Sequence, residues 1–488
     1  MNNKRAVYML VVFGILFLTL IGYLTYLEIF YAQNYKKSAY NPRNYQIEKN
    51  ILRGSIYDRN STLLAYSEKI REEKTEIVNG TEQKFMEERY VRRYPFDNLY
   101  SHVIGYVSGD YSNRTLVENE YNESLIEEGV FSRLSPDEKK GKDVQITIDH
   151  ELQKEAYTSM GAYKGSVVAL NPKNGEILAM VSKPDFNPNY DVLNFDTLED
   201  TALFSRAIQM TYPPGSTYKI ISAAAALKGG LGDEVYEDST GQYVIKSADG
   251  KDENDFVCQN VNKKPYLTTT LESAFKVSSN VFFCHIGATL STEAVQDAAS
   301  DFLIGENLNR KLGFDLPIKS SSFQKGKMTP AERAISSIGQ GQTEMTPMHI
   351  ALMGAAIAND GIMPRPYLVS KVGSVNKIPA SNEGIRVVTS DVAQKIKDMM
   401  LTVVESGTGT AARINGVKVC GKTGSSENSV TATGLGNSNK THALFVGFAP
   451  YDDPQIAVCV VLEHAGYGGT YAAPIARRVM QKYLNSIY

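Results

Sequence analysis

Ser216-Thr217-Tyr218-Lys219 sets a hydroxyl and an amine three positions apart. A serine with its own base one helical turn away is suited to acyl transfer through a covalent intermediate. The spacing alone selects little, because Ser273 and Lys276, Ser322 and Lys325, and Ser374 and Lys377 repeat it. Context separates them, since only Ser216 is expected to open a helix. Pro213 and Pro214 keep the chain from being helical before Gly215. The run Thr217 to Leu227 is apolar and alanine-rich, with strong helix propensity. On a helix, positions i and i+3 share a face, so the Lys219 amine can reach the Ser216 hydroxyl. The helix N-terminus adds positive potential and free N–H groups beside the serine.

Two further groups follow in chain order: Ser278-Ser279-Asn280, then Lys422-Thr423-Gly424. Ser-x-Asn recurs at Ser374 to Asn376 and Ser426 to Asn428, whereas Lys-Thr-Gly occurs once. Each piece has a plainer reading. Ser216 to Lys219 could be a helix start with a surface lysine. Ser278 and Asn280 could cap a helix after Lys276, and Lys422 could be a solvated strand lysine. The ordered triple outweighs these readings, and it resembles the penicilloyl-serine transferases, the family of penicillin-binding proteins and serine β-lactamases.

The resemblance extends from about residue 40 to the C-terminus. Arg53-Gly54-Ser55-Ile56-Tyr57-Asp58-Arg59-Asn60 with Leu64-Ala65 resembles the opening block of class B penicillin-binding proteins, as do Arg93-Tyr94-Pro95 and His102 to Tyr106. Gly339-Gln340-Gly341-Gln342, Thr346-Pro347 and Asn359-Asp360-Gly361 look like that family's helical subdomain, and Gly407 to Ala412 like the segment before its lysine strand. Class A members carry a glycosyltransferase domain between anchor and transpeptidase. The stretch here is too short for one, which favours class B. The resemblance implies a membrane anchor, an N-terminal pedestal and a peptidoglycan D,D-transpeptidase domain. It also implies β-lactam antibiotics as acylating ligands and a polytopic glycosyltransferase of the SEDS kind as partner.

Roles carry over residue by residue. Ser216 is the expected nucleophile toward D-Ala-D-Ala stem peptides and Lys219 its base. Ser278 would relay a proton to the leaving nitrogen, and Asn280 would hold Lys219 and the substrate amide. Lys422 would supply a cation and attract the terminal carboxylate. The oxyanion hole would be the N–H groups of Ser216 and Ser425, with Thr423, Gly424 and Ser425 lining the substrate edge. The chain departs from the family at Ser61, where glycine is usual, at Ser425, where threonine is commoner, and at His442, where an aromatic residue is frequent. Tyr467-Gly468-Gly469-Thr470 lacks phosphate-loop spacing and reads as a loop beside the site. His285, His349, His442 and His464 read as structural or rim residues. No metal or cofactor is expected.

The elements around these residues set the expected architecture. Ala6 to Leu27 carries no charge, long enough to span a hydrocarbon core, with Lys4 and Arg5 before it and Tyr23, Tyr26, Phe30 and Tyr31 as an interfacial belt. The N-terminus is therefore expected in the cytoplasm and the catalytic domain outside, on a single-pass anchor; a cleaved signal peptide is the alternative. Cys258 and Cys284 bracket the Ser278 segment and could form a disulfide outside the membrane; two free thiols are the alternative. Cys420 and Cys459 read as buried thiols.

Ser135 to Lys142 is the linker candidate. Short strand-like runs, Glu88 to Tyr94 and His102 to Val107, precede it, with a charged patch from Glu68 to Glu76, of which Arg71 to Glu76 reads as a solvated face. After it, Val144 to Ile148 alternates as a strand, Asp149 can cap a helix, and Gly165 to Leu170 and Glu176 to Val181 flank a turn ending Asn174-Gly175. Helices dominate Ile220 to Leu401. Strands return at Val417 to Cys420, His442 to Phe448 and Ile456 to Leu462, with a closing helix Ala473 to Tyr483. This order indicates an α+β fold with a helical subdomain against one antiparallel sheet. The expected division is an anchor over residues 1–30, a small β-rich pedestal of the dimerisation type over 31–142 and a transpeptidase domain over 143–488.

At 488 residues, with 42% hydrophobic and 22% charged residues, the chain is globular and too long for one ordinary domain. A net charge of −3 gives no electrostatic reason for a nucleic-acid partner. Two rival functions stay open: a β-lactamase or D,D-carboxypeptidase passing the acyl group to water, and a non-catalytic cell-wall scaffold.

Overall fold

The computed structural model describes residues 3–30, 51–78, 81–108, 113–127, 140–191, 196, 198–247, 255–379, 383–427 and 441–487. Most of the linker candidate, residues 135–139, and Tyr31 of the aromatic belt lie outside them. Asn3–Phe30 is one helix, α1, and its apolar residues are exposed along its length. It is long and apolar enough to cross a membrane.

The described chain divides into two compact units. In the smaller, residues 65–93, 105–143 and those before 56, the main feature is a hairpin of β1 (Leu63–Val78) and β2 (Thr81–Arg93). Its ladder runs from Tyr66↔Arg93 to Val78↔Thr81. Within the charged patch, Arg71 to Thr75 are exposed, as expected of a solvated face, but they lie on a strand. Both faces carry charge, and cross-strand pairs such as Glu72 with Arg89 at 2.9 Å replace the apolar alternation that marks a strand. The Glu88 to Tyr94 run is the end of β2. In the same unit Glu118, fully buried, accepts from Arg53 and Arg92, each at 2.7 Å. His102 to Val107 is not a strand: residues 101–104 form a turn, and Gly105 has φ +81°.

The larger unit, residues 56–64, 94–104 and 144–488, contains a five-stranded sheet that carries the site. Asp149 caps α2 (His150–Ser159), its carboxylate accepting from Leu152 N at 2.9 Å. Strands β3 (Gly165–Leu170) and β4 (Ile177–Lys183) pair antiparallel around the Asn174-Gly175 turn, where Gly175 has φ +76°. A helical region follows: α3 (Lys219–Lys228), a small hairpin of β5 (Gln242–Ile245) and β6 (Phe256–Gln259), α4 (Leu271–Val277), α5 (Asn280–Thr289), α6 (Pro330–Ser337), α7 (Pro347–Ala358) and α8 (Ser390–Ser406). The chain returns as β7 (Cys420–Glu427), β8 (Thr441–Ala449) and β9 (Ile456–Leu462) and closes with α9 (Gly468–Ile487).

The strand order is β7-β8-β9-β3-β4, antiparallel throughout. Every residue of β8 and β9 is buried, because both faces are covered. Phe445, Val458 and Val460 pack toward Ala476, Val479 and Met480 of α9 and Leu152 and Ala156 of α2. Helix α7 covers the opposite face, and all twelve of its residues are buried. Helix α8 packs along edge strand β7. This is the expected α+β arrangement.

Three local expectations need correction. The lysine strand begins at Cys420 rather than ending there, so Lys422 to Ser425 lie within it. Gly468 to Thr470 form the first turn of α9 rather than a loop. Ser273 also lies in the first turn of a helix, α4, where it completes a capping box with Thr270. Opening a helix therefore does not set Ser216 apart; its surroundings do.

Candidate active site

Ser216 lies in a single 3-10 turn, Gly215–Tyr218, that runs into α3. In a 3-10 turn residues i and i+3 eclipse, so Ser216 and Lys219 share a face. The turn is held from several sides. Thr217 Oγ1 donates to Pro214 O at 2.7 Å, and Gly215 N donates to Gly339 O at 2.9 Å. Gly215 has φ +51°, and a Cβ there would sit 2.7 Å from Ser425 O. The serine turn therefore lies directly against β7. Gly424 meets the same turn from the strand: its Cβ position is 2.9 Å from Thr217 Cγ2 and 3.1 Å from Pro214 O. The absent side chain at Gly424 thus admits the serine turn, beyond the close approach to a ligand expected from sequence.

Ser278 is held at the junction of α4 and α5. It closes α4 at φ +59°, a left-handed conformation uncommon for a residue with a side chain. Ser279 then caps α5, its Oγ accepting from Phe282 N at 3.2 Å, and Asn280 is the first helical residue. This corner turns Ser278 and Asn280 toward Lys219. Lys219 Nζ donates to Asn280 Oδ1 at 2.7 Å, to Ser278 O at 2.8 Å and to Ser278 Oγ at 3.3 Å. From β7, Lys422 Nζ donates to Ser278 Oγ at 2.8 Å and to Thr423 O at 3.1 Å. Ser278 Oγ thus joins two amines.

Both lysines are fully buried. Burial holds Lys219 well below the usual lysine pKa, and the neighbouring Lys422 lowers it further. Burial alone brings Lys422 down to about 7. Their other neighbours are the faces of Phe283, 5.5 Å from Lys219 Nζ, and Phe275, 5.6 Å from Lys422 Nζ.

One expected contact is absent. Among the described residues no hydrogen bond joins Lys219 Nζ to Ser216 Oγ; the amine is taken up by Ser278 and Asn280. Such bonds are often long in the absence of substrate and tighten when it binds.

A cleft of about 560 Å³ opens over this group, lined by Ser216, Ser278, Asn280, Thr423, Gly424 and Ser425. Gln340, Thr408, Thr410 and Tyr467 also line it. Thr408 Oγ1 and Thr423 Oγ1 share a hydrogen bond of 2.7 Å, which ties the segment before the lysine strand to that strand. Ser425 Oγ accepts from Gly468 N at 3.3 Å. Gly469 and Thr470, in the first turn of α9, and Tyr467 just before it border the cleft.

Sequence reasoning missed several lining residues, among them Asn260 and Tyr266. They belong to no motif, and only tertiary contact brings them here. Cys258 of β6 is paired with Cys284 of α5, their Cα atoms 6.8 Å apart. Cys420 and Cys459 are buried free thiols. His349 is fully buried between Ser321 Oγ at 2.7 Å and Phe302 O at 2.8 Å. His442 packs edge-on to Tyr212, beside His464. Neither His349 nor His442 is among the cleft residues.

A buried amine beside a serine, in a cleft backed by an antiparallel sheet and a helical subdomain, defines a serine acyl-transfer domain. Comparison with known proteins agrees. The family model for the penicillin binding protein transpeptidase domain matches residues 165–481. The chain belongs to that family, among its class B members. It is 31% identical to peptidoglycan D,D-transpeptidase PbpA of Mycolicibacterium smegmatis over 95% of each chain. It is 28% identical to peptidoglycan D,D-transpeptidase MrdA of Acinetobacter baumannii, over 84% of this chain and 69% of that one. Among solved structures, a penicillin G acyl-enzyme complex of penicillin-binding protein A from M. tuberculosis superposes with a TM-score of 0.74 at 28% identity, covering 89% of this chain and all of the other.

Proposed function

We propose that the chain is a membrane-anchored enzyme that crosslinks peptidoglycan stem peptides by D,D-transpeptidation through an acyl-Ser216 intermediate. The observation that carries the reading is the buried Lys219, held by Ser278 and Asn280, with Lys422 on the same serine, beneath the cleft that Ser216 lines. Neutral Lys219 takes the Ser216 proton as Oγ attacks the carbonyl carbon of the penultimate D-alanine. The N–H groups of Ser216 and Ser425 receive the oxyanion, an interaction worth roughly 3–4 kcal/mol per donor in acyl-transfer sites. The C–N bond to the terminal D-alanine breaks, and Ser278 passes a proton to the departing nitrogen. An amine from a neighbouring stem then attacks the ester and frees Ser216. Lys422, Thr423 and Ser425 attract the terminal carboxylate, and β-lactams enter by the same attack and remain as the acyl-enzyme.

The division into an anchor over 1–30, a pedestal over 31–142 and a transpeptidase domain over 143–488 belongs to the same reading. So do a cytoplasmic N-terminus, an extracytoplasmic catalytic domain, a Cys258–Cys284 disulfide formed there and a SEDS-type glycosyltransferase as partner.

Intact mass after incubating the full chain in detergent with benzylpenicillin tests the reading. The expected result is a stable gain of one drug molecule, absent in Ser216→Ala. Consumption of the drug without an adduct would favour a β-lactamase or carboxypeptidase. An intact drug and no adduct would favour a scaffold.

A further inference from the structure

Asn260 lies outside every motif. It follows β6, is 3% exposed and touches the cleft. Its carboxamide is saturated. Oδ1 accepts from Asn280 N at 2.9 Å, Ser279 Oγ at 3.1 Å and Val281 N at 3.2 Å. Nδ2 donates to Asp238 Oδ2 at 2.7 Å and to Lys264 O at 2.9 Å. Asp238, 2% exposed, is fixed in turn by Gly241 N at 2.7 Å and Tyr266 N at 3.2 Å. A buried carboxylate can only accept, so it turns the amide end of Asn260 toward itself and the carbonyl end toward α5.

The neighbouring residues complete the clamp. Gln259 O accepts from Asn280 Nδ2 at 3.0 Å, leaving Asn280 Oδ1 for Lys219 at 2.7 Å. Cys258, one residue earlier, is bonded to Cys284 on α5. Ser279 already caps α5 through Phe282 N, so Asn260 serves the two N–H groups that precede it. A helix cap needs one such acceptor. Here a second one fixes the backbone of the residue whose side chain holds the base.

We propose that Asn260, oriented by Asp238, is a positioning residue for acyl transfer: it sets Asn280, and through Asn280 the Lys219 amine. The inference rests on the proposed function, because acylation is its readout.

The test uses the full chain in detergent and benzylpenicillin, with the acylation rate constant and the acylatable fraction measured separately. Asn260→Asp keeps the acceptor for α5 but sets a second carboxylate against Asp238. Its rate constant should fall by about tenfold or more while the acylatable fraction holds, as for a misplaced supporting residue. The exchange Asp238→Asn with Asn260→Asp restores one donor and one acceptor and should bring the rate to within about threefold of wild type. The acid limb of the pH–rate profile should move in Asn260→Asp, because both a displaced Asn280 and the new carboxylate change how well the protonated amine is held, and it should return toward the wild-type position in the exchange. A purely structural role would lower the acylatable fraction, leave the limb in place and gain nothing from the exchange; that pattern, or a wild-type rate in Asn260→Asp, overturns the proposal. Should Asn260→Asp fail to fold, Asp238→Asn carries the test, and a wild-type rate there overturns it. A wild-type chain that is never acylated would instead remove the proposed function.

Discussion

Lys422 Nζ donates to Ser278 Oγ at 2.8 Å, and Lys219 Nζ donates to the same oxygen at 3.3 Å. One hydroxyl therefore links the sheet lysine to the helix lysine, and its left-handed backbone at φ +59° holds it between them. Removing it in Ser278→Ala leaves Lys422 with only Thr423 O among its hydrogen bonds and breaks the route for a proton to the leaving nitrogen. Acylation by benzylpenicillin should slow by about 10²–10⁴-fold, the range of a lost acid–base group, while the melting temperature changes little. Stopped-flow rates set beside thermal melts check this. A rate within threefold of wild type would leave Ser278 as only a helix terminus.

The pH dependence follows from the two amines. Lys219, held well below the usual lysine value by burial and by Lys422, is available as a base at neutral pH. Lys422, lowered by burial to about 7, loses its charge close to that pH. Acylation should rise as Lys219 deprotonates and fall as Lys422 does, giving a bell whose alkaline limb lies near 7. Lys422→Arg keeps the charge and should abolish that limb, at a lower plateau. Stability runs the other way. Above about pH 7 the unfolded lysine still holds a proton that folded Lys422 has released, so its contribution to stability rises with pH until the unfolded group titrates. Rate profiles and chemical denaturation at matched pH values check both signs.

The parts legible in the sequence were those written in adjacent residues. Pro213 and Pro214 before an alanine-rich run announced the serine turn, Asp149 its helix, and Asn174-Gly175 its hairpin. The hairpin β1–β2 was not recognised, because charges on both faces conceal the strand period; the Asn79-Gly80 pair between its strands was the available signal. The strand bearing Lys422 was placed too early, since Lys-Thr-Gly-Ser-Ser looks polar, yet α8 and the serine turn cover it. Asn260 gave no signal at all. Its partners lie on three separate segments, and an asparagine followed by Asn262, Lys263, Lys264 and Pro265 reads as an ordinary turn.

Gly424 offers a steric test of how the two halves of the site meet. A Cβ there would stand 2.9 Å from Thr217 Cγ2, 3.0 Å from Leu444 Cβ and 3.1 Å from Pro214 O. The backbone oxygen cannot swing away as a side chain would. Gly424→Val should push β7 and the serine turn apart, costing about 1–3 kcal/mol as overpacking does. It should also lower acylation far more than stability, because Ser216 and Ser425 lie at the point that opens. Denaturant midpoints compared with acylation rates separate the two; equal losses would mean general unfolding.

The Cys258–Cys284 pair closes a loop with a sequence separation of 26. The loop contains the short strand Leu267–Thr270, α4 and Ser278, so a crosslink limits how far this arm of the site can wander when unfolded. The chain-entropy estimate for that length is roughly 3–4 kcal/mol, an upper figure because the reduced chain keeps residual structure. Cys284 is fully buried, so its thiol, once freed, remains among apolar neighbours such as Ala334. Cys258→Ala with Cys284→Ala should therefore lower the denaturation midpoint without abolishing folding, and treatment with reductant should have no further effect on that variant. In the wild-type chain, reductant should both destabilise and slow acylation, since Gln259 and Asn260 adjoin Cys258 and hold Asn280. Acylation rates with and without reductant, in wild type and in the double variant, decide it: equal sensitivity in both would place the effect away from this pair.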